Sequence, residues 1–261
     1  LRNRVILVEV GGFNIYIIDT QMGVSGDMIL SALIDLEIIP ADEFIEVLES
    51  IGNVWTKTKI QVKNDNYYGI NGKKLNFKFQ FKPSKTGLPA TKLKRYFEKA
   101  IDEIGIKKGK NLANDMLNTL LEAEMTVHHC KLEKLHLHET GSPDTVIDIL
   151  GFIYFYEKNN LNREKIYSTP ISVGQGIWKT AHGLFSVPPP AALEMLKDMQ
   201  FRYGPIDGEL ATPTGIAIIK NLIYEYVDYI QDLPITPKVV GYGLGTRVFK
   251  DYINILRVIY A

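Results

Sequence analysis

The segment Ile15-Tyr16-Ile17-Ile18-Asp19 leaves this chain few folds to choose from. It reads as a strand, and because apolar side chains fall on both alternating faces, both faces must be covered. The strand runs into Thr20-Gln21-Met22-Gly23-Val24-Ser25-Gly26-Asp27-Met28, after which Ile29, Leu30, Leu33, Ile34 and Leu36 recur at helical spacing. Strand, Gly-rich loop and helix in succession point to layered α/β architecture. Such a loop aims backbone N–H groups at an anion, around Gly23, Ser25, Gly26 and Asp27. The carboxylates of Asp19 and Asp27 repel a phosphate unless a hard cation such as Mg²⁺ or Mn²⁺ lies between them. The plainer alternative is a tight turn at Gly23 and Gly26, with Asp27 capping a helix.

The remaining pattern fits mixed α/β layers, with helices flanking a mixed sheet. Residues 41–51 are amphipathic and follow Pro40. Residues 55–81 alternate and are rich in Thr, Lys, Tyr and Phe, which predicts an antiparallel meander with turns at Asn64-Asp65-Asn66 and Asn71-Gly72. Its lysines read as solvated faces and edge protection. Residues 82–89 read as a loop or lid, and residues 91–104 and 112–129 as helices. Strands are expected at 5–10, 166–173, 201–205 and 253–259. The organisation is that of a single α/β domain over 1–261, with 52–90 as a subdomain.

The densest chemistry lies in Lys134-Leu135-His136-Leu137-His138-Glu139-Thr140-Gly141-Ser142-Pro143-Asp144. On an extended segment His136 and His138 share one face, and Leu135 and Leu137 share the core face. Two imidazoles followed by a carboxylate form half a site for a borderline metal such as zinc or nickel. Ser142 suits an N-cap and Pro143 the first helical position, so Asp144 and Asp148 fall on one helix face at i and i+4. The bland alternative is a solvent-facing strand, with Asp144 complementing the helix dipole. His128, at a helix end, reads first as dipole chemistry and second as a ligand.

Further loops carry chemistry-bearing residues. His182 sits among glycines in Trp178-Lys179-Thr180-Ala181-His182-Gly183, a setting in which sites concentrate. Glu209 precedes Thr212-Pro213-Thr214-Gly215, where Thr212 caps a helix that starts at Pro213. The glycines of Val239-Val240-Gly241-Tyr242-Gly243-Leu244-Gly245-Thr246-Arg247 let the backbone approach a ligand or another strand closely.

Composition removes several classes of function. Lys plus Arg equals Asp plus Glu at 30 each, which argues against a broad nucleic-acid surface. A lone cysteine, Cys130, allows neither an internal disulfide nor a thiolate-rich metal site, and favours an intracellular, cytoplasmic setting. No apolar run is long enough to span a membrane, and the run after Arg2-Asn3-Arg4 is too short for a signal peptide and is broken by Glu9.

Several motifs in order are similar to one family. They are Asp19-x-x-x-Gly23-x-Ser25-Gly26-Asp27-Met28, Ala123-Glu124-x-x-Val127-His128, His136-x-His138-Glu139-x-Gly141-x-x-Asp144, His182-Gly183-x-x-x-Val187-Pro188-x-Pro190, Gly208-Glu209-x-x-Thr212-Pro213-Thr214-Gly215, Gly241-Tyr242-Gly243-x-Gly245-Thr246 and Asn254-x-Leu256-Arg257. The chain resembles the nickel insertion proteins of the LarC type, which make the nickel-pincer nucleotide of lactate racemase. The resemblance implies nickel as cargo, a pyridinium mononucleotide bearing two thiocarboxylates as acceptor, CTP, and Mg²⁺ or Mn²⁺ as helper. Members of that family continue past Leu256-Arg257-Val258 into a CTP-associated region, so a C-terminal insertase polypeptide and a lactate racemase-type apoenzyme are expected partners; a homo-oligomer is compatible with it. Ser142-Pro143 and Ala211 depart from the family's usual residues.

Chemistry and spacing together nominate His136, His138, Glu139, Asp144, Asp19 and His128 for metal, and Glu139, His182 and Glu209 for acid–base work. They nominate Gly23, Ser25, Gly26, Asp27, Thr212, Thr214, Gly243 and Arg247 for the nucleotide. Two other classes stay open: a metal-dependent hydrolase or phosphoryl-transfer enzyme built on Asp19, Asp27, His136 and His138, and a nickel-holding subunit with no catalysis of its own.

Overall fold

A computed structural model describes residues 15–80, 86–180 and 183–261. The strand expected at 5–10, part of the loop at 82–89 and His182 lie outside these residues. The main sheet contains β1 (Ile15–Asp19), β2 (Thr58–Tyr67), β3 (Ile70–Phe79), β4 (Lys165–Ser168), β5 (Glu225–Tyr226), β6 (Val239–Leu244) and β7 (Ile255–Tyr260). Their spatial order is β5-β4-β1-β7-β6-β3-β2. The sheet is mixed: β1 runs parallel to β4 and antiparallel to β7, and β6 runs antiparallel to β7 and parallel to β3. The helices are α1 (Gly26–Asp35), α2 (Ala41–Asn53), α3 (Ala90–Ile104), α4 (Lys110–His128), α5 (Pro143–Lys158), α6 (Pro190–Met195) and α7 (Pro213–Leu222).

Strand β1 is buried along its whole length, as its unbroken apolarity requires. Tyr16 and Ile18 face the main core beneath the helices, and Ile15 and Ile17 face a smaller cluster with Tyr167 and Ile259. Helix α1 lies directly on β6 because Gly241 and Gly243 have no side chain. A Cβ at Gly243 would stand 1.9 Å from the Met28 carbonyl oxygen, and one at Gly241 would stand 2.1 Å from that of Ala32. The close approach at these two glycines includes one to a helix, on the face where a Cβ would stand, in addition to the strand neighbours of the sheet.

The predicted meander is one long hairpin, β2–β3, at the sheet edge. Its turn falls at Tyr68-Gly69, not at Asn64-Asp65-Asn66 or Asn71-Gly72. Asp65 pairs with Gly72 and Asn66 with Asn71 across the strands. Tyr68 and Gly69 both take positive φ, 52° and 87°, as a tight two-residue hairpin turn needs, and Asn66 Oδ1 accepts the Gly69 N–H at 2.9 Å. The strand expected over 166–173 is split at Thr169-Pro170. Pro170 has no N–H to continue a ladder, and Ile171–Ser172 instead pairs with Phe201–Arg202.

Candidate functional site: a cleft at three helix N-termini

Helices α1, α5 and α7 bring their N-termini to one cleft of about 630 Å³. Each begins on a hydroxyl residue with extended backbone: Ser25, Ser142 and Thr212. Pro143 and Pro213 occupy the first helical positions, where a missing N–H costs nothing. Thr212 caps its helix by accepting the Gly215 N–H at 3.4 Å. Ser25 and Ser142 instead turn their hydroxyls onto the carboxylates two residues on, Asp27 and Asp144. The three ends meet because the backbones interlock. The Val24 N–H donates to the Leu210 carbonyl and the Thr212 N–H to the Val24 carbonyl, both at 2.9 Å. At Gly26, α1 comes so close to α5 that a Cβ would sit 2.2 Å from the Asp148 carboxyl carbon.

This corner is strongly electronegative in its side chains and electropositive in its backbone. Asp27, Asp144, Asp148, Glu139 and Glu209 line the cleft, against Lys179 and Arg247. Burial pushes the Asp148 carboxyl well above the ordinary carboxylate range, and Asp144 and Asp27 push the same way; a Thr214 hydrogen bond opposes them. Asp148 Oδ1 is buried and has no hydrogen-bond partner. Asp27 is raised too, by burial first and by Asp144, against hydrogen bonds from Ser25 and the Met28 N–H. An uncompensated buried carboxylate is costly, so these groups favour either a proton or a bound cation. Helix N-termini carry partial positive charge and favour negative groups, whether a first-turn carboxylate or an anionic ligand.

The opposite wall is basic and aromatic. Arg247 donates through Nη1 to the Glu209 carbonyl at 2.9 Å and through Nη2 to Glu209 Oε2 at 3.1 Å. Burial raises the Glu209 carboxyl; the Arg247 charge works against this and the Glu139 charge with it. The Arg247 guanidinium also lies over the Trp178 ring, 4.7 Å from its centroid. Phe77 and Met28 add apolar surface.

The nominated residues divide into those that meet at the cleft and those that do not. Ser25, Asp27, Glu139, Asp144, Glu209, Thr212, Thr214 and Arg247 all line it. Gly23 and Gly26 are not among its lining residues but permit the close approaches behind it: Gly23, with φ 105°, lies against the Leu210 carbonyl and Gly26 against Asp148. Gly243 lies under α1. Asp19 does not line the cleft. Its buried carboxylate takes the Arg257 guanidinium, with Nε at 2.7 Å, and the Thr169 hydroxyl at 3.1 Å.

Leu135 and Leu137 are buried while His136 and His138 are exposed, so the alternation holds. His136 contacts the Lys134 carbonyl through Nδ1 at 3.2 Å. His138 lines a recess of about 260 Å³ next to the main cleft, together with His128, Glu124 and Glu139. Glu139 and Pro213 border both spaces. His128 Nε2 is 3.6 Å from Glu124 Oε2. Among the described residues, no three His, Cys, Asp or Glu side chains are grouped so that they could hold a metal ion. The combination of Asp19, Asp27, His136 and His138 is not assembled. Sequence reasoning nominated neither Asp148 nor Trp178. The i, i+4 spacing from Asp144 pointed to the first; nothing local pointed to the second.

The family model for nickel insertion proteins matches residues 16–261. The chain is 36% identical to a putative nickel insertion protein of Dictyoglomus thermophilum, over 92% of this chain and 58% of the relative. It is 35% identical to one of Methanosphaera stadtmanae, over 95% of this chain and 61% of the relative. It is 31% identical to the pyridinium-3,5-bisthiocarboxylic acid mononucleotide nickel insertion protein of Clostridium kluyveri, over 92% of this chain and 60% of that protein. The chain thus spans about three-fifths of the length of these curated relatives. No solved structure matches it significantly. No described helix is long and apolar enough to cross a membrane.

Proposed function

The chain belongs to the nickel insertion protein family, and from that premise we propose that its cleft is where a pyridinium mononucleotide with two thiocarboxylates receives nickel. One observation carries the reading: groups suited to a cation and groups suited to an anion surround the same space. Lys179, Arg247 and the N-termini of α1, α5 and α7 suit the phosphate and thiocarboxylates. Imidazole suits nickel, so His128 and His138 form its entry, with Glu139 as the bridge from recess to cleft. Asp27, Asp144 and Asp148 are not grouped to hold a metal by themselves, so a helper Mg²⁺ or Mn²⁺ would need oxygen donors of the nucleotide beside a carboxylate of this corner, where Asp148 Oδ1 is unpartnered. Glu209, raised by burial and steadied by Arg247, is the acid–base group of the cleft.

No Gly-x-x-x-x-Gly-Lys-Ser/Thr occurs in the sequence, and we assign no residue of this chain to CTP. A CTP-dependent, chelatase- or lyase-type step belongs in this scheme to the region that the relatives carry beyond the match, on the same or a separate polypeptide. The recipient would be a lactate racemase-type apoenzyme. A thiolated substrate suits the reducing cytoplasm, as does a lone cysteine.

The test is anaerobic incubation with nickel and the thiocarboxylate nucleotide, with and without CTP, Mg²⁺ and the C-terminal polypeptide of a relative. The expected result is retention of nickel and nucleotide by this chain, with nickel-containing nucleotide seen by mass spectrometry when CTP and the C-terminal polypeptide are both present. Retention without product under any combination would leave a nickel-holding subunit. Mg²⁺-dependent phosphate release without nickel would establish the hydrolase in its place.

A further inference from the structure

We propose that the face of Trp178 is the seat of the nucleotide's cationic ring, and that Arg247 keeps that seat filled in the ligand-free protein. The proposal rests on the pyridinium nucleotide reading of the cleft and adds the surface that would recognise the ring. Trp178 stands on the strand Ile177–Thr180 and lines the cleft half-buried. One side of the ring is bordered by a residue without a side chain. Gly208 has φ 138°, and a Cβ there would approach Trp178 Cζ3 to 3.3 Å. Over the ring lies the guanidinium of Arg247, a planar delocalised cation, 4.7 Å from the centroid. A pyridinium is also a planar delocalised cation, and indole is the best of the aromatic faces for one.

The surroundings favour the exchange of one cation for the other. Arg247 is tethered through Nη1 and Nη2 to the Glu209 carbonyl and carboxylate, which balances its charge while its guanidinium lies over the ring. Swung off the ring, it remains within the cleft as a partner for a phosphate or thiocarboxylate, a geometry for which guanidinium is suited. The carboxylates of Asp27, Asp144 and Glu139 line the same space and add to the preference for a positively charged ring. Apolar contact with Met28 and Phe77 is available to the ring edge. The site therefore selects a quaternised pyridine nucleotide over a neutral base of equal size.

The experiment exploits the two tryptophans of the chain. The other, Trp55, is stacked on Tyr96 at 4.6 Å and does not line the cleft, so Trp55→Phe leaves Trp178 as the sole indole reporter. The probes are N-methylpyridinium-3,5-dicarboxylate and its neutral-ring isostere 5-methylbenzene-1,3-dicarboxylate, which share one shape and differ in ring charge, titrated without nickel. Saturable quenching by the pyridinium, with binding about tenfold tighter than for the neutral ring, is expected on the scale of a desolvated cation–π contact. Equilibrium dialysis should show about tenfold weaker pyridinium binding to Trp178→Leu and an intermediate loss in Trp178→Phe, with circular dichroism unchanged. Equal affinity for the two rings, undiminished binding to either Trp178 variant, or no saturable binding up to millimolar probe would overturn the proposal. Failure of nickel insertion with ring binding intact would instead count against the nickel reading alone.

Discussion

The carboxylate corner and the imidazole ledge share Glu139 but are built in opposite ways. Asp27, Asp144 and Asp148 sit where three helices interlock, and burial raises Asp27 and Asp148. His136 opens a two-residue strand, His136–Leu137, which pairs with Leu88–Pro89, and His138 follows it directly; both histidines are exposed. The corner stores unfavourable electrostatics, which a cation or a proton relieves. The ledge is exposed instead of buried, so an imidazole there can meet a ligand without first being uncovered. The two Ser-x-Asp turns sharpen the contrast: Ser25 and Ser142 forgo capping a backbone N–H to bind a carboxylate instead. Capping hydroxyls spent on carboxylates are what a site built to hold charge looks like, whereas stability alone favours the cap.

The largest way to break the corner is at its closest contact. In Gly26→Ala the new methyl would stand 2.4 Å from Asp148 Cβ, a position fixed by the backbone of α5. The helices must separate, and a loss of about 3 kcal/mol in urea unfolding is expected. Gly105→Ala is the comparison. Its Cβ meets open space at a left-handed helix end, so only conformational strain of about 1 kcal/mol applies. Equal losses would mean that the α1–α5 approach is not tight.

A second change tests whether the corner really carries electrostatic strain. The Asp148 carboxyl is raised when folded, so the folded chain binds the proton more tightly than the unfolded chain does. Stability therefore falls as pH rises from the ordinary carboxylate range through the raised value, and the native state is favoured on the acid side of that window. Asp148→Asn removes this dependence. It should gain on the order of 1–2 kcal/mol at pH 7 and much less near pH 4. Thermal melts across that range should show a flatter stability profile in the variant; an unchanged slope would show that the strain is absent.

Legibility in the sequence followed locality. Strand β1, its loop and α1, the alternation at Leu135–His138 and the start of α5 at Ser142-Pro143 each rest on a few adjacent residues, and each stands where the pattern put it. The cleft itself depends on Val24 pairing with Ala211, far apart in sequence, and no local pattern encodes that bridge. Asp19 looked like a ligand because it ends a strand before a Gly-rich loop. It is neutralised by Arg257, which reaches it only through the β1–β7 ladder. The hairpin turn went to Tyr68-Gly69 because register over two long strands outweighed the stronger local signal of Asn71-Gly72. Trp178 carries no sequence pattern; only the folded hairpin and Arg247 give its face a meaning.

The smallest expected effect separates the two histidines that the sequence treats alike. Both belong to one His-x-His pair and both are exposed, but only His138 lines the recess with His128, Glu124 and Glu139. His136 turns its Nδ1 to the Lys134 carbonyl, and its strand position is opposite Pro89. If nickel enters through the recess, losing His138 removes one of the two imidazoles, His128 and His138, that line it. His138→Ala should then weaken nickel retention about tenfold, on the scale of a single second-rank ligand contact. His136→Ala should leave it within about twofold, since an exposed side chain away from the recess contributes little. Nickel binding by equilibrium dialysis, with circular dichroism to confirm folding, reads both. Equal losses would restore the His-x-His pair as one site, with His136 turning toward the metal. No loss in either would move nickel entry off the ledge and onto the carboxylates of the main cleft.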